Sequence, residues 1–231
     1  MDFDMPDENT KVRHRFFHPV TNAVARFCVV GFVVLLVAAG WILTEIYKSP
    51  FITQAGIVQP QPVPFSHKHH VADDGIDCRY CHTTVEKSAF AGMPPTQTCM
   101  NCHSQLWTTS EMLEPVRASF QTGEPIHWTR VDNLPQFVYF NHSIHVAKGV
   151  GCATCHGRVD EMSLTYQAAP LTMEWCLSCH REPQNFIRPR EEVFNMEWQT
   201  PANQNEQGAE LVKKYHVKDA RNLTNCSTCH R

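Results

Sequence analysis

The sequence has few of the features that build an ordinary globular core. Outside one apolar run, Phe27–Thr44, long amphipathic patterns are scarce, and the chain contains 15 prolines. This scarcity argues against a bundle of long helices and predicts short helices joined by irregular connections. The formal net charge is only −3, so the chain has no basic surplus and we expect no nucleic-acid partner.

Cysteine outside a Cys-x-x-Cys pair is also rare. Of the eleven cysteines, only Cys28 lies outside such a pair. Cys28 lies in the apolar run with no Leu-Ala-Gly lipobox before it. We therefore interpret it as a small apolar side chain rather than a lipid attachment site. A disulfide scaffold would not repeat one short cysteine spacing five times, which argues against that class of protein.

The ten paired cysteines all belong to the pentapeptide Cys-x-x-Cys-His, which is the c-type haem attachment signature. In this signature the cysteines form thioethers with the haem, and the histidine becomes the proximal ligand of the iron. A zinc site has no need of a histidine at the same offset after every pair. We therefore predict five covalently bound haem c groups. Motifs 1 to 5 are, in chain order, Cys78/Cys81/His82, Cys99/Cys102/His103, Cys152/Cys155/His156, Cys176/Cys179/His180 and Cys226/Cys229/His230.

Five haems would have to form much of the core themselves. Residues 48–231 provide fewer than about 40 residues for each haem, and protein segments of that size usually need metals or cross-links to fold. The predicted fold class is a multihaem cytochrome c with one N-terminal transmembrane helix. A mostly irregular domain of short helices follows, with haems as its core.

The apolar run predicts a membrane anchor. Extended to residues 23–47, it is long enough to cross a hydrocarbon core of about 30 Å. A cleaved signal peptide would have a shorter apolar segment followed by a small-x-small site, so we favour an uncleaved anchor. Basic residues at 11, 13, 15 and 26 precede the run, whereas only Lys48 follows it closely. The positive-inside rule then predicts a cytoplasmic segment 1–22 and a periplasmic haem domain 48–231.

The haem domain contains an internal duplication. The segments PFSHKHHV at 64–71 and YFNHSIHV at 139–146 share the pattern Phe-x-His-x-x-His-Val, and each precedes two haem motifs. The distance from the first histidine to the next motif is one residue longer in the first copy. We interpret this as two dihaem modules, 64–103 and 139–180, with a tail that carries motif 5.

A haem iron that only transfers electrons needs a sixth, distal ligand. His67 and His70 in the first copy, and His142 and His145 in the second, recur in register before haem motifs and are the main candidates. For the fifth haem the residues leave two candidates open, His216 and Met173, with Met93, Met196 and His127 as weaker ones.

The Phe-x-His-x-x-His pattern before a haem motif resembles the small multihaem cytochromes of the c3 and c7 type. The resemblance implies that the first histidine caps the haem that follows and the second caps a different haem. His67 would thus cap the motif 1 haem and His142 the motif 3 haem. His70 and His145 would cross to the haems of motif 2, motif 4 or the tail.

The chain as a whole resembles the pentahaem cytochrome c subunit (ActA) of alternative complex III. The resemblance rests on the N-terminal anchor, the twinned histidine segments and the stretches GMPPTQTCMNCH, APLTMEWCLSCHR and LTNCSTCHR. It implies a membrane assembly with iron–sulfur and membrane subunits, in which partner subunits oxidise menaquinol. Electrons would then pass to a periplasmic cytochrome c or a terminal oxidase. One haem of that family has a histidine and a methionine ligand, which strengthens Met173 as a candidate.

We therefore expect an electron-transfer subunit of an oxidoreductase that is not catalytic alone. The main alternative is a self-sufficient, membrane-anchored quinol dehydrogenase, but its first haem should follow the anchor closely. Here the proline-rich segment 59–64 and further residues separate Tyr47 from Cys78. A multihaem reductase needs an open iron position, and candidate distal ligands for all five haems argue against one.

Overall fold

The computed structural model of the chain describes residues 18–230. The described chain divides into two compact units at the Tyr47–Lys48 boundary. The basic residues Lys11, Arg13 and Arg15, on which the predicted topology partly depends, lie outside the described residues.

The first unit is dominated by a single helix, α1, Pro19–Lys48. Its apolar side chains are exposed, including Phe27 at 79% and Val37 at 68%. A helix that is apolar on all sides is typical of a membrane span or a deeply buried element, and no part of the structure buries this one. By length and composition, residues Val20–Lys48 are suited to cross a membrane.

The second unit consists of short helices and irregular connections. Its α-helices are α2 Pro50–Thr53, α3 Cys78–Cys81, α4 Thr96–His103, α5 Glu114–Thr122, α6 His142–Ala147, α7 Cys152–His156, α8 Met173–Arg181, α9 Gln204–Lys214, α10 Ala220–Leu223 and α11 Cys226–Cys229. Shorter turns are a π-helix at Lys68–Asp73 and 3₁₀ helices at Glu111–Leu113, Val159–Glu161, Pro183–Asn185 and Arg190–Glu192. Within residues 18–230, extended pairing is limited to two isolated bridges, Val58 with Tyr166 and Val150 with Ile187.

Side-chain caps begin several of the helices that carry haem motifs. The carboxylate of Asp77 accepts a hydrogen bond from the backbone N–H of Arg79 at the start of α3. Thr172 caps α8 and Asn225 caps α11 in the same way. Such caps satisfy backbone donors that a short helix leaves open, so each motif can form one helical turn without a long helix around it.

Protein side chains supply only a small buried core. Val193 is completely buried and Ile187 is 2% exposed, but the motif cysteines are half-exposed or exposed. Around this core, α9 packs closely on Pro183–Asn185, because a β-carbon at Gly208 would meet the backbone carbonyl of Gln184. Helix α9 is thereby fastened to the segment that directly follows the second module.

Candidate haem sites

Each motif forms a single helical turn that brings its two cysteines to one side. Cysteines three positions apart in a helix lie on the same face, one turn from each other. The turn is α3, α7 or α11 for motifs 1, 3 and 5, and the C-terminal part of α4 or α8 for motifs 2 and 4. The motif histidine ends or directly follows that turn, so its ring lies beside the cysteine pair.

Four of the five predicted proximal histidines are fixed through Nδ1 by a backbone carbonyl. The Nδ1–H donor leaves Nε2 as the nitrogen able to bind a metal. The acceptors are the carbonyls of Gly92 for His82 at 2.7 Å, Leu106 for His103 at 3.2 Å, Leu223 for His180 at 3.0 Å and Phe137 for His230 at 3.1 Å. The fifth, His156, bonds instead to a carboxylate oxygen, Oδ2 of Asp132, at 2.9 Å.

The four histidines of the duplicated segments are held in the same manner. His70 donates to the carbonyl of Ser66 at 2.8 Å, and His145 donates to that of Asn141 at 2.8 Å. His142 donates to the carbonyl of Ala89 at 3.0 Å, and Nδ1 of His67 is hydrogen-bonded to the hydroxyl of Thr165 at 2.9 Å. The three rings that donate to a carbonyl therefore have Nε2 free for a metal, and His67 has it free in the tautomer in which the Thr165 hydroxyl accepts from Nδ1.

Three of these histidines face a proximal histidine at the separation that one shared iron requires. Two imidazoles on opposite sides of one metal, with metal–nitrogen bonds of about 2 Å, hold their ring centres about 6 Å apart. The ring centres are 6.4 Å apart for His142 and His156, 6.2 Å for His145 and His180, and 6.2 Å for His70 and His103. The residues present thus fit axial pairs for the haems of motifs 3, 4 and 2.

His67 is the histidine of the duplicated segments that these three ring pairs leave out. Burial is the main cause that lowers its pKa to about 4, followed by the charges of His82, His70 and His156. Burial also lowers the pKa values of His142 and His145. A lowered pKa favours the neutral imidazole, which is the form that binds metals. His82, the predicted proximal histidine of motif 1, is the histidine that lowers the pKa of His67 most, whereas for His142 that histidine is His156.

The two candidates for the fifth distal ligand differ in position. His216 is exposed, has a left-handed φ of 51°, and forms no ring pair with a proximal histidine in the described chain. Met173 is 66% exposed and begins α8, one turn before Cys176. Burial, and then the nearby Cys229, raise the pKa of Cys176, so the α8 turn that holds Cys176 lies near motif 5.

The cysteines of different motifs influence one another's pKa values in a regular series. Burial, and after it nearby thiols, raises the pKa of Cys155 to about 12 and that of Cys152 to about 11. The thiol that adds most is Cys179 for Cys155, Cys78 for Cys152 and Cys99 for Cys81. These pairs join motif 2 to 1, 1 to 3 and 3 to 4, and Cys176 with Cys229 joins 4 to 5.

Backbone and side-chain contacts follow the same series. The amide of Asn101 in motif 2 donates to the hydroxyl of Tyr80 in motif 1 at 3.1 Å. The backbone N–H groups of His142 and Ser143 donate to Ala89 and Ser88, which follow motif 1. The tail is joined to motif 4 through the bond from His180 to Leu223 described above.

Asp132 and Thr165 are the site residues that sequence reasoning missed. Each lies far along the chain from its histidine, by 24 and 98 positions respectively. Neither belongs to a motif or to a repeat, so the sequence carries no signal for their roles. Only the folded chain brings them to the imidazoles.

Comparison with known proteins defines the class of this chain. Residues 144–231 match the family model for cytochrome c3, and residues 63–116 match the one for cytochrome c7 and related cytochrome c. With the irregular helical fold, these matches confirm the predicted fold class, a multihaem cytochrome c with c3/c7-type domains, and cytochromes c of these families transfer electrons through covalently bound haem c.

The chain is related to a multihaem cytochrome c subunit of a menaquinone reductase from Nitratidesulfovibrio vulgaris (strain Hildenborough). The two sequences are 36% identical over 128 residues, which is 55% of this chain and 56% of the relative. The similarity therefore spans about half the length of that protein.

Proposed function

We propose that this chain is a membrane-anchored relay that carries electrons through five haems between a membrane quinone-reactive complex and a periplasmic redox partner. Helix α1 would anchor the chain, with the N-terminus in the cytoplasm and residues 48–231 outside. Each haem iron, when bound, alternates between the ferric and ferrous states and so takes up and releases one electron. The chain itself binds the haems, sets their axial ligands and orders them.

The observations that carry this proposal are the three ring pairs at the separation of axial ligands and the hydrogen bonds that link one motif to the next, and the pKa shifts among the cysteines follow the same order. Because each thioether lies at the edge of its porphyrin, neighbouring cysteines from two motifs would bring two haem edges together. The neighbours described above support the haem order 2, 1, 3, 4, 5. Cys102 and Cys226, at the two ends of this order, are exposed. The ends would therefore be the places where electrons enter and leave.

The ring pairs support bis-histidine ligation of four haems. We assign His70 with His103, His142 with His156, His145 with His180 and, by neighbourhood, His67 with His82. This leaves no open iron position for substrate at motifs 1 to 4, as expected of a relay rather than a reductase.

For the haem of motif 5 we favour Met173 over His216. The turn of α8 that follows Met173 lies near Cys229, and His216 has no ring contact with His230 in the described chain. Met173→Ala and His216→Ala separate the two. The true ligand's variant should convert one haem to high-spin in the visible and EPR spectra, and the other variant should leave the spectra unchanged.

Haem content tests the number of sites. Pyridine haemochrome assays on matured protein should give five haems per chain, and denaturing gels stained for haem should show that they are covalent. Four or fewer haems would contradict the relay as proposed, because an interior gap would break the series.

The direction of electron flow has two candidates. The resemblance to alternative complex III favours flow from menaquinol, oxidised by partner subunits, to a periplasmic cytochrome c or terminal oxidase. The relationship to a menaquinone reductase subunit favours the opposite direction, towards menaquinone. Purification of the chain from native membranes should yield iron–sulfur and polytopic membrane subunits, and assays of that complex in both directions should decide between the two.

The same assay on the pure full-length chain in liposomes tests the relay against a self-sufficient quinol dehydrogenase. The relay predicts electron exchange with small mediators and with a periplasmic cytochrome, but no menaquinol oxidation. Menaquinol oxidation by the chain without other subunits would refute the relay.

A further inference from the structure

The hydrogen bond from His156 to Asp132 differs from every other Nδ1 bond at the haem sites. The other proximal and duplicated-segment histidines bond to a neutral oxygen, which is a backbone carbonyl or, for His67, a hydroxyl. Only His156 has a carboxylate partner, at 2.9 Å. One haem site of the series is therefore electrostatically different from the rest.

The position of Asp132 lets the negative charge of its carboxylate act strongly on His156. Its side chain is 27% exposed and that of His156 is 34% exposed, so solvent screens the pair only in part. The second carboxylate oxygen, Oδ1, is buried and has no hydrogen-bond partner within residues 18–230. No lysine or arginine in the described chain forms an ion pair with Asp132, so the hydrogen bond to His156 is the contact through which its charge acts most directly, although the charge also reaches His142 and Cys155.

A carboxylate acceptor changes the ligand that it touches. By attracting the Nδ1 proton, it makes Nε2 a more basic and stronger donor to a metal. Stronger donation and a nearby negative charge both stabilise ferric over ferrous iron, and second-shell hydrogen bonding is a known means of setting haem potential. A neutral carbonyl has the same effect only weakly.

We propose that Asp132 is a positioning residue that lowers the reduction potential of the motif 3 haem, the middle haem of the proposed order. The inference rests on the proposed function in one respect, since it takes His156 as an iron ligand. It also predicts how the reduction potential changes along the relay. The central haem is harder to reduce, so electrons divide between the haems at the two ends of the series.

The test is Asp132→Asn, which keeps the size and an oxygen acceptor but removes the charge. Potentiometric titration followed by EPR should show one haem whose midpoint potential rises, with the other four unchanged. Asp132→Glu, which restores the carboxylate, should return most of that shift. If Asp132→Asn does not mature, Asp132→Ser provides a neutral hydroxyl of the kind that His67 already uses, and the same upward shift is expected.

Asp77→Asn is the matched control. Asp77 is also a carboxylate beside a haem motif, but it bonds to Arg79 and touches no axial histidine. It should shift any potential less than Asp132→Asn does. Equal shifts from the two variants, or unchanged potentials in Asp132→Asn, would overturn the proposal. Haem count and low-spin spectra test the ligation of His156 separately, so unchanged potentials in a fully loaded variant count against Asp132 alone.

Discussion

The two copies of the Phe-x-His-x-x-His segment have nearly the same side-chain geometry on different backbones. The ring centre of Phe65 lies 4.9 Å from that of His67, in an edge-to-face arrangement, and 4.4 Å from that of His70, in a stacked arrangement. The second copy gives 4.8 Å and 4.4 Å for the matching rings of Phe140. Yet the first copy is a π-helix, Lys68–Asp73, and the second is an α-helix, His142–Ala147.

The difference in backbone has a simple source in the sequence. The first copy has one more residue between its first histidine and the next motif. A π-helical turn takes up an extra residue within a helix. Here it keeps the phenylalanine and both histidines in place. The comparison teaches that the ring cluster, rather than the helix type, is the feature that the two modules share.

The largest effect, on the spin state of the haems, is expected from replacing the first histidine of each duplicated segment. His67→Ala and His142→Ala should each convert one low-spin haem to high-spin, because each removes a histidine that we propose as the sixth iron ligand. Visible and EPR spectra of the ferric protein measure this. His69→Ala is the control, since His69 pairs with Asp74 at 3.6 Å and should leave all haems low-spin. A spectral change for only one of the two variants would break the equivalence of the modules.

The pair of His145 with His180 in the second module should differ in its EPR signal from the pair of His70 with His103 in the first. The ring planes of His70 and His103 meet at 65°, whereas those of His145 and His180 meet at 25°. Strongly crossed imidazoles give a highly axial low-spin EPR signal with one large g value, and near-parallel rings give a rhombic one. EPR of His70→Ala should therefore lose an axial signal, and EPR of His145→Ala should lose a rhombic one. Loss of the same signal type from both would contradict this difference.

Thr165→Val should affect the first module alone. It removes the hydroxyl that bonds to His67 and leaves a partly buried ring nitrogen unsatisfied, which costs about 1–3 kcal/mol. His142 bonds to a backbone carbonyl instead, so no matching side chain exists in the second module. Denaturant unfolding and the potential of the motif 1 haem measure the effect, with the exposed Thr109→Val as the control. An equal loss of stability in both variants would show that the hydroxyl does not support His67.

The smallest effect is expected from the phenylalanines. Phe65→Leu and Phe140→Leu keep an apolar side chain but lose ring stacking, which is worth about 0.5–1.5 kcal/mol. Because the ring distances agree in the two copies, the two variants should lower the denaturant midpoint by similar amounts. A clearly larger decrease in the denaturant midpoint for one variant would show that the two phenylalanine–histidine ring clusters do not contribute equally to stability.

Sequence patterns predicted the fold class and the local parts of the sites. Cys-x-x-Cys-His is a local signal, and the register of the histidine pairs is another. The resemblance left open which haems His70 and His145 reach, and the structure brings their rings to His103 and His180. The proposed order of the motifs was beyond sequence reasoning, because the influence of Cys78 on the pKa of Cys152 arises only through tertiary folding.

The bond from His180 to the carbonyl of Leu223 also has a consequence for biogenesis. The proximal histidine of motif 4 takes its orientation from the tail, 43 residues further along the chain. The N–H of Tyr139 likewise donates to the carbonyl of Cys229, so the start of the second module depends on the same late segment. During synthesis of the chain, the second module therefore stays incomplete until the tail has been made, and a chain stalled near residue 200 would present for haem attachment a motif 4 without its final shape.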